Sequence, residues 1–583
     1  MCGICSAIGN FNEVFNVIDG LKKLEYRGYD SSGIAYKQNN NLEVVKSVGP
    51  IANLEKKIGK NLNSKIVIGH TRWATHGKVS EENAHPHLSS NGEFALVHNG
   101  IIENYEDLKK IFLSDVCLNS QTDTEVFVNL ISKQKGAVIN KLIEACDLVK
   151  GSFAVAMLEK NSNKIFLAKR KSPLMVAQNE NGCMAASDLS VFVGKFEKCY
   201  IMEDDEFAVM SAKNIVFYDK SGKKIKKNAV LINNFDFCDE NLNEEYFMLK
   251  EIKEQSVVLK RTYFKYFSEN TFSETEISKL KKYKSFHFIA CGTAYHSGLM
   301  GARYIQQFCN KECKVSIASE FRYDNNVLNK NCLYVFVSQS GETADTIACA
   351  NLIKEKGFDV MCVTNVPYCS LNKLADIILP TFAGREVAVA STKAYVAQVF
   401  TLLIFAIKLS GNLELQESLK KFVLSFDILQ LDDTLLKFLY QFKNIFYIGR
   451  EQDYVASLEG ALKMKEIAYI NCIGLAGGEL KHGTLALVDE NSLVIAISTQ
   501  EKLKEKMESN IQEVKARGGK ILLVSNFEHS VEVDYFLQLP EFEEFLMPIV
   551  SITALQLMAF HYAVKLGYNP DKPRNLAKSV TVE

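Results

Sequence analysis

A cysteine stands at position 2. With Met1 removed, its thiol would lie beside a free α-amino group whose ordinary pKa, about 8, lets an amine act as a base at neutral pH. Three other short segments hold groups that a thiol attacking an amide would use. Arg72, in HTRWATHG (residues 70–77), offers a guanidinium suited to forked recognition of a carboxylate. HNG (residues 98–100) closes a β-rich run and presents the Asn99 amide and the Gly100 N–H, the pair of donors that a tetrahedral oxyanion takes. Asp123, in QTDTEV, opens a helix, either to receive an α-ammonium group or simply to cap it.

A second set of reactive groups lies far along the chain. The run LYVFV ends in Ser338, Gln339, Ser340, Gly341, Glu342 and Thr343, a hydroxyl- and glycine-bearing turn opening a helix. Backbone N–H groups at such a start, reinforced by hydroxyls, cradle a phosphate, although Ser and Thr also cap helices for stability alone. GALKMKE (460–466) places Lys463 and Glu466 three apart on one helical face. They form either a surface ion pair or, if buried, a proton-shuttling pair. GGELKHG (477–483) adds His482.

These groups need elements to hold them. The first half carries short β-branched runs, such as 65–68 and 94–97, separated by Gly, Asn and His turns, and it ends near Tyr218. Residues 219–249 turn polar and acidic, which predicts a final strand or two followed by an exposed linker; a mixed-charge helical segment follows from Lys250. From Phe286 the pattern becomes strand, Gly or Ser turn, then amphipathic helix, the signature of a parallel α/β sheet.

That second part repeats itself. FHFIACG at 286 matches NIFYIGR at 444, LYVFVSQSGET at 333 matches LVIAISTQEKL at 493, VMCVTN at 360 matches ILLVSN at 521, and ADIILP at 375 matches YFLQLP at 535. A spacing of about 160 residues means a duplicated domain rather than a solenoid. The second copy lacks the glycine of the turn and adds exposed charge, so only the first is expected to bind phosphate there.

Length and composition bound the rest. The chain of 583 residues implies several domains, and 47% hydrophobic residues, 23% charged residues and a net charge of -1 give no basic surplus for nucleic acid. Most of the fifteen cysteines sit singly in apolar runs, which fits a reducing cytoplasm; Cys2 and Cys5 form a C-x-x-C without the strand that a thioredoxin-like turn needs, and no zinc spacing accompanies it. The terminus MCGICSAIGNF lacks a basic region before its apolar residues and does not read as a secretory signal. Residues 546–564 approach membrane-spanning length, but Pro548, Ser551, Thr553, Gln556 and His561 favour a buried core helix.

Through CGI, EYRGYDS (25–31), HTRWATHG, HNG and QTDTE, the first third resembles the class II, N-terminal-nucleophile glutaminases. Through ACGT, SQSGET, STKAY, LEGALKMKE, GELKHG and the closing LAKSVTVE, the remainder resembles two sugar isomerase (SIS) domains. Together they identify the chain with the isomerising, glutamine-dependent fructose-6-phosphate aminotransferases. The resemblance implies a multidomain fold, an α+β glutaminase sandwich followed by two doubly wound α/β sheets. The expected bounds are 2–218 for the glutaminase, 219–275 for a linker and connecting helix, 276–416 and 435–573 for the two isomerase domains, and 574–583 for a catalytic tail.

It also implies roles. Cys2 forms a thioester with glutamine while Asn99 and Gly100 hold the oxyanion; Arg72, Thr75, His76, Gly77 and Asp123 bind glutamine. Trp73, otherwise a core aromatic, matches the gate of an internal ammonia channel. Gly292, Thr293, Ser338, Gln339, Ser340, Thr343, Val389 and Ser391 match the sugar-phosphate contacts. His482 matches a ring-opening group supplied by a neighbouring subunit, which implies a homodimer. Lys578 matches the Schiff-base lysine, and Glu466, beside Lys463, the base that moves a proton between sugar carbons. The implied partners are glutamine and fructose 6-phosphate, with no metal or organic cofactor, no nucleic acid, no membrane and a cytoplasmic setting. One departure stands out: Ala294 replaces the family's usual Ser after CGT, which removes one hydroxyl contact. Two other readings fit parts of the pattern, a class II amidotransferase with another sugar-phosphate acceptor and a non-catalytic sugar-phosphate sensor.

Overall fold

Along the strand Gly3–Gly9 the side chains alternate, Ile4 and Ile8 entering one core while Cys5 and Ala7 enter another. That period of two marks a strand buried on both faces, and it organises the first of two units in the computed structural model, which describes residues 2–59, 61–74, 76–232, 244–269 and 271–581. The first unit comprises Met1–Phe235 with Ala577–Glu583, and the second Asp236–Leu576.

The first unit contains an eight-stranded and a seven-stranded sheet, with every strand pair antiparallel. Ile4, Ile68, Val97, Ala156 and Leu167 fill the space between them. On the outer face of the first sheet lies helix Val14–Leu24, through Val14, Val17 and Leu21. On the outer face of the second lies helix Asp123–Lys133, through Val126, Phe127 and Leu130. The result is a helix–sheet–sheet–helix sandwich. Strands Lys224–Ile225 and Val230–Leu231 extend the two sheets, so regular structure runs past residue 218. Residues 233–243, which carry most of the expected linker's acidic stretch, lie outside the described residues.

The second unit holds two five-stranded parallel sheets of identical topology. In the first the order is Glu312–Ile317, Ser285–Ala290, Cys332–Ser338, Val360–Thr364, Ile377–Pro380. In the second it is Ile473–Ala476, Asn444–Gly449, Ser492–Ile497, Lys520–Ser525, Tyr535–Gln538. Each reads 2-1-3-4-5, and all four strand pairs matched in the sequence occupy equivalent places. Two matches shift in register: Ser285 faces Cys332 as Asn444 faces Ser492, one residue from the sequence match, and Ile377 faces Met361 as Tyr535 faces Leu522, two residues from it. Apolar runs of four to six residues slide against each other without losing hydrophobic agreement, so backbone pairing rather than composition fixes their register.

One hydrophobic core spans both sheets. Helix Gly292–Cys309 packs on Lys393–Ser410, helix Gln452–Ala468 packs on Met547–Lys565, and Gly292–Cys309 meets Gln452–Ala468 directly. Among the described residues two helices are long and apolar enough to cross a membrane, Lys393–Ser410 and Glu544–Lys565, and 89% and 94% of their apolar windows are buried within the fold. The second covers the stretch read as a core helix.

Candidate functional site

Two clusters form, one in each unit. In the first, Cys2 immediately precedes strand Gly3–Gly9, whose pairing with Ile66–Arg72 brings Trp73 alongside it. The Trp73 N–H donates to Cys2 Sγ at 3.3 Å, and the thiol faces the Trp73 carbonyl at 3.5 Å. Burial pushes the Cys2 thiol above its ordinary pKa, while the Trp73 N–H and the Arg72 charge oppose the rise. Asn99 and Gly100 lie on strand Phe94–Ile102 of the other sheet, and Asn99 Nδ2 donates to the Cys2 carbonyl at 3.1 Å. Gly100 has φ 134°, and a Cβ there would sit 2.0 Å from the Ser152 carbonyl oxygen, so only glycine keeps this strand in place beside the thiol.

The remaining residues expected to bind glutamine surround this centre. Arg72 is buried and donates to the carbonyls of His76 and Lys78, the latter at 3.4 Å, which folds its own loop back over the guanidinium. Gly77 turns that loop at φ 77°. His76 meets Tyr105 edge-on at 5.4 Å and Trp73 meets Tyr29 edge-on at 5.5 Å. Thr75 lies outside the described residues. Asp123 does not cap its helix; that place belongs to Thr122, whose hydroxyl accepts the Glu125 N–H. The Asp123 carboxylate instead accepts the Ile102 N–H at 2.9 Å, fixing the strand that carries Asn99.

Sequence reasoning passed over the histidines beneath this centre. His70 stacks on His85 at 4.1 Å, and His85 meets His87 at 5.0 Å. Thr124 Oγ1 bonds both His98 Nδ1 and His85 Nε2, at 3.0 and 3.3 Å. The motifs HTR, HPHL and HNG each carry a member, but no spacing along the chain says that they meet.

In the second unit the strands Ser285–Ala290 and Cys332–Ser338 are neighbours, so the loops after both open at one end of the sheet, at the point where strand order reverses. Ser338 Oγ bonds Thr343 Oγ1 at 3.0 Å and accepts the Gly341 N–H at 3.0 Å, and Ser340 Oγ accepts the Glu342 N–H at 3.2 Å. Helix Ala344–Glu355 then starts without a side-chain cap, leaving its first N–H groups pointed at the loop. Thr343 stands at the cap position, yet its hydroxyl is committed to Ser338. Gly341 has φ 64°, and a Cβ there would lie 2.1 Å from Cys369 Sγ.

Helix Gly292–Cys309, which follows the first strand, carries Thr293 to a buried charged knot on helix Gln452–Ala468. Lys463 Nζ lies 2.6 Å from Glu466 Oε2, 3.3 Å from Glu459 Oε1 and 3.1 Å from Thr293 Oγ1. Glu459 also accepts from Thr293 at 3.0 Å and meets His296 Nδ1 at 2.7 Å. Lys463 and Glu459 are fully buried, which removes the surface-pair alternative. Burial pulls the Lys463 ammonium down, but the two carboxylates outweigh it and hold its pKa above the ordinary range. Burial likewise pushes Glu459 up, and Lys463 and His296 more than reverse that. Glu459 and His296 went unnoticed in the sequence, although the i, i+4 spacing of Glu459 and Lys463 is a usable signal.

The other expected residues fall around this knot less directly. Val389 is buried, with its N–H on the Asp571 carbonyl at 3.0 Å, and Ser391 donates to Glu386 at 3.0 Å. His482 is exposed at the end of the turn Gly477–His482. Lys578 is half-buried in the segment Ala577–Glu583, which groups with the first unit. In the second copy the loop equivalent to Ser338–Thr343 is filled from within. Asp453 accepts the Thr499 N–H at 2.8 Å and the Thr499 hydroxyl at 2.6 Å, with Gln500 Nε2 at 3.4 Å.

A glutamine amidotransferase domain model matches residues 70–194, and an SIS domain model matches twice, at 279–408 and 438–566. The chain is 40% identical over 602 residues to the glutamine–fructose-6-phosphate aminotransferase (isomerizing) of Shouchella clausii, covering all of both chains. It is also 40% identical over 612 residues, again at full coverage of both, to the protein of that name from Clostridium acetobutylicum. Among solved structures, the C-terminal domain of glucosamine-fructose-6-phosphate aminotransferase from Francisella tularensis matches 57% of this chain and 99% of its own length, with 35% identity and a TM-score of 0.53. A matched glutamine amidotransferase domain, two matched SIS domains on a duplicated parallel sheet, and relatives alike from end to end place this chain in the family of isomerising glutamine–fructose-6-phosphate aminotransferases.

Proposed function

We propose that this enzyme converts glutamine and fructose 6-phosphate into glutamate and glucosamine 6-phosphate, the entry to amino-sugar synthesis. The observation that carries the reading is the buried Thr293–Glu459–Lys463–Glu466 knot beside a phosphate-cradling turn. In the glutaminase half, an N-terminal-nucleophile site, the Cys2 thiolate attacks the amide carbon. Asn99 and Gly100 donate to the oxyanion, ammonia leaves, and water hydrolyses the thioester to glutamate. Removal of Met1 supplies the amine that takes the thiol proton. Arg72, Thr75, His76, Gly77 and Asp123 hold the glutamine.

In the isomerase half Gly292, Thr293, Ser338, Gln339, Ser340, Thr343, Val389 and Ser391 bind the sugar phosphate. His482 of a second copy opens the ring, and its exposure here suits a group offered to a partner. Lys578 condenses with the open ketose, releasing water, and the imine makes the adjacent C–H acidic. Ammonia then adds to the imine carbon and displaces the lysine nitrogen, and Glu466 carries the acidified proton from C1 to C2 of the resulting sugar imine, leaving the aldehyde at C1 and the amine at C2. Ammonia delivered without meeting solvent escapes protonation, which gives a channel gated by Trp73 its rationale. The domains are 2–231, whose last two strands extend the glutaminase sheets past 218, 276–416 and 435–573, with the tail 574–583, and the protein works as a cytoplasmic homodimer.

The test is an assay of glucosamine 6-phosphate on wild type and Cys2→Ala. The variant loses glutamine-dependent synthesis and keeps sugar isomerisation; equal synthesis by both rejects the nucleophile.

A further inference from the structure

His70 touches no reacting group, yet its ring decides what Asn99 presents to the thiol. It lies fully buried on strand Ile66–Arg72. Its Nε2 stands 2.9 Å from the His98 carbonyl and 3.0 Å from Asn99 Oδ1. A backbone carbonyl only accepts, so Nε2 carries the ring's proton. The second atom at that proton must also be an acceptor, because an NH2 there would set donor against donor. Asn99 is thereby turned with its oxygen to His70 and its NH2 to Cys2, where Nδ2 reaches the Cys2 carbonyl at 3.1 Å. An amide is nearly symmetric in shape, so without this bond only the Cys2 carbonyl tells the two orientations apart.

We propose that His70 is a positioning residue which locks the Asn99 amide with its donor facing the oxyanion, so that the reacting glutamine meets N–H rather than C=O. The inference rests on Asn99 acting as the oxyanion donor. Two observations keep the ring in the required state. It stacks on His85 with an interplanar angle of 17°, which fixes its plane. Its Nδ1 is buried with no hydrogen-bond partner among the described residues, as the bare nitrogen of the Nε2–H tautomer. Burial also pushes its pKa down to about 3, so the ring stays neutral over the working range.

The test compares His70→Phe, His70→Gln and Asn99→Ala in the full-length enzyme, following glutamate release and, as a folding control, sugar isomerisation. Phenylalanine keeps the ring shape and removes the donor; glutamine places an N–H near the old Nε2. Loss of one oxyanion donor lowers kcat by about 10²- to 10³-fold. His70→Phe is expected to lose about 10²-fold in glutaminase kcat with KM changed less than about threefold, and His70→Gln to recover most of it. Wild-type kcat in His70→Phe, or equal losses in both variants with KM rising alongside, overturns the proposal. If Asn99→Ala keeps its rate, the oxyanion assignment itself falls; if it is slow while His70→Phe is normal, only the locking role falls. Should His70→Phe fail to fold, 15N-histidine NMR of the wild type decides: a protonated Nε2 is expected, and a protonated Nδ1 overturns the inference.

Discussion

Lys463 Nζ stands 2.6 Å from Glu466 Oε2 while its own side chain has no exposed surface. Its ammonium answers to Glu459 as well, so one cation is shared between two carboxylates that lie one turn before it and one turn after it on the same helix. Removing one member of a buried ion pair leaves the other uncompensated, at a cost of about 3–5 kcal/mol. Lys463→Met should therefore lower the unfolding free energy by that amount, read from urea unfolding followed by circular dichroism, and abolish turnover. Glu466→Gln, whose side chain is 21% exposed, should lose isomerisation with a much smaller change in stability. Equal stability losses in the two variants would contradict the burial argument.

Buried histidines of the first unit and a buried carboxyl of the second should answer pH in opposite directions. In the first, burial holds His70 down at about 3 and His85 and His87 well below their ordinary 6.5. The unfolded chain binds protons below 6.5 that these folded imidazoles refuse. Stability is thus complete above about pH 6.5 and falls as the pH drops, by up to about 1.4 kcal/mol per pH unit for each group. Trp73, the only tryptophan, reports on this unit alone, and its fluorescence should show urea midpoints declining from pH 7 to 5.

In the second unit burial raises Asp453 from 3.8 to about 7, despite its bonds to Thr499 and Gln500. A raised carboxyl pKa favours folding while the group is protonated, so this contribution is complete below about pH 4 and is lost as the pH climbs towards 7. Asp453→Asn should flatten the pH dependence of isomerase inactivation across that window. An unchanged slope would show that the folded carboxylate is as well solvated as the unfolded one.

Gly341→Ala tests the turn. Alanine at φ 64° is strained, and its Cβ would collide with Cys369 Sγ. The loop must shift, so KM for fructose 6-phosphate should rise about tenfold or more while glutamine hydrolysis stays at the wild-type rate. Cys369→Ala in the same chain should recover part of the loss.

Ala294→Ser restores a hydroxyl next to Thr293. One hydrogen bond contributes about 1 kcal/mol, so KM for the sugar phosphate should fall about fivefold with kcat little changed. A higher KM would mean that the half-buried site around Ala294 is packed for a methyl group.

Where candidate residues are local in the chain, the sequence showed that they would lie together. Ser338 to Thr343 form one turn, and Cys2, Asn99 and Gly100 each come from a short motif whose strand was evident from β-branched runs. The parallel sheets were equally plain, because each buried strand is a continuous apolar run. Contacts that need tertiary geometry escaped. Glu459 stands four residues before Lys463, but that spacing reads as an ordinary surface pair until its burial is known. His70 acts through a strand of the other sheet 29 residues away. The filling of the second copy's turn by Asp453 left no mark beyond a missing glycine, since nothing in STQEKL names the carboxylate that would occupy it.

Thr293 comes from the first repeat and Lys463 from the second, and they meet where the two helices cross. The duplication therefore yielded more than a spare: the repeat whose own turn is filled by Asp453 brings Glu459, Lys463 and Glu466 to a hydroxyl of its sibling. Neither half can be pruned without loss, because a fragment holding either repeat alone would expose its share of the common core and carry only part of the charged knot.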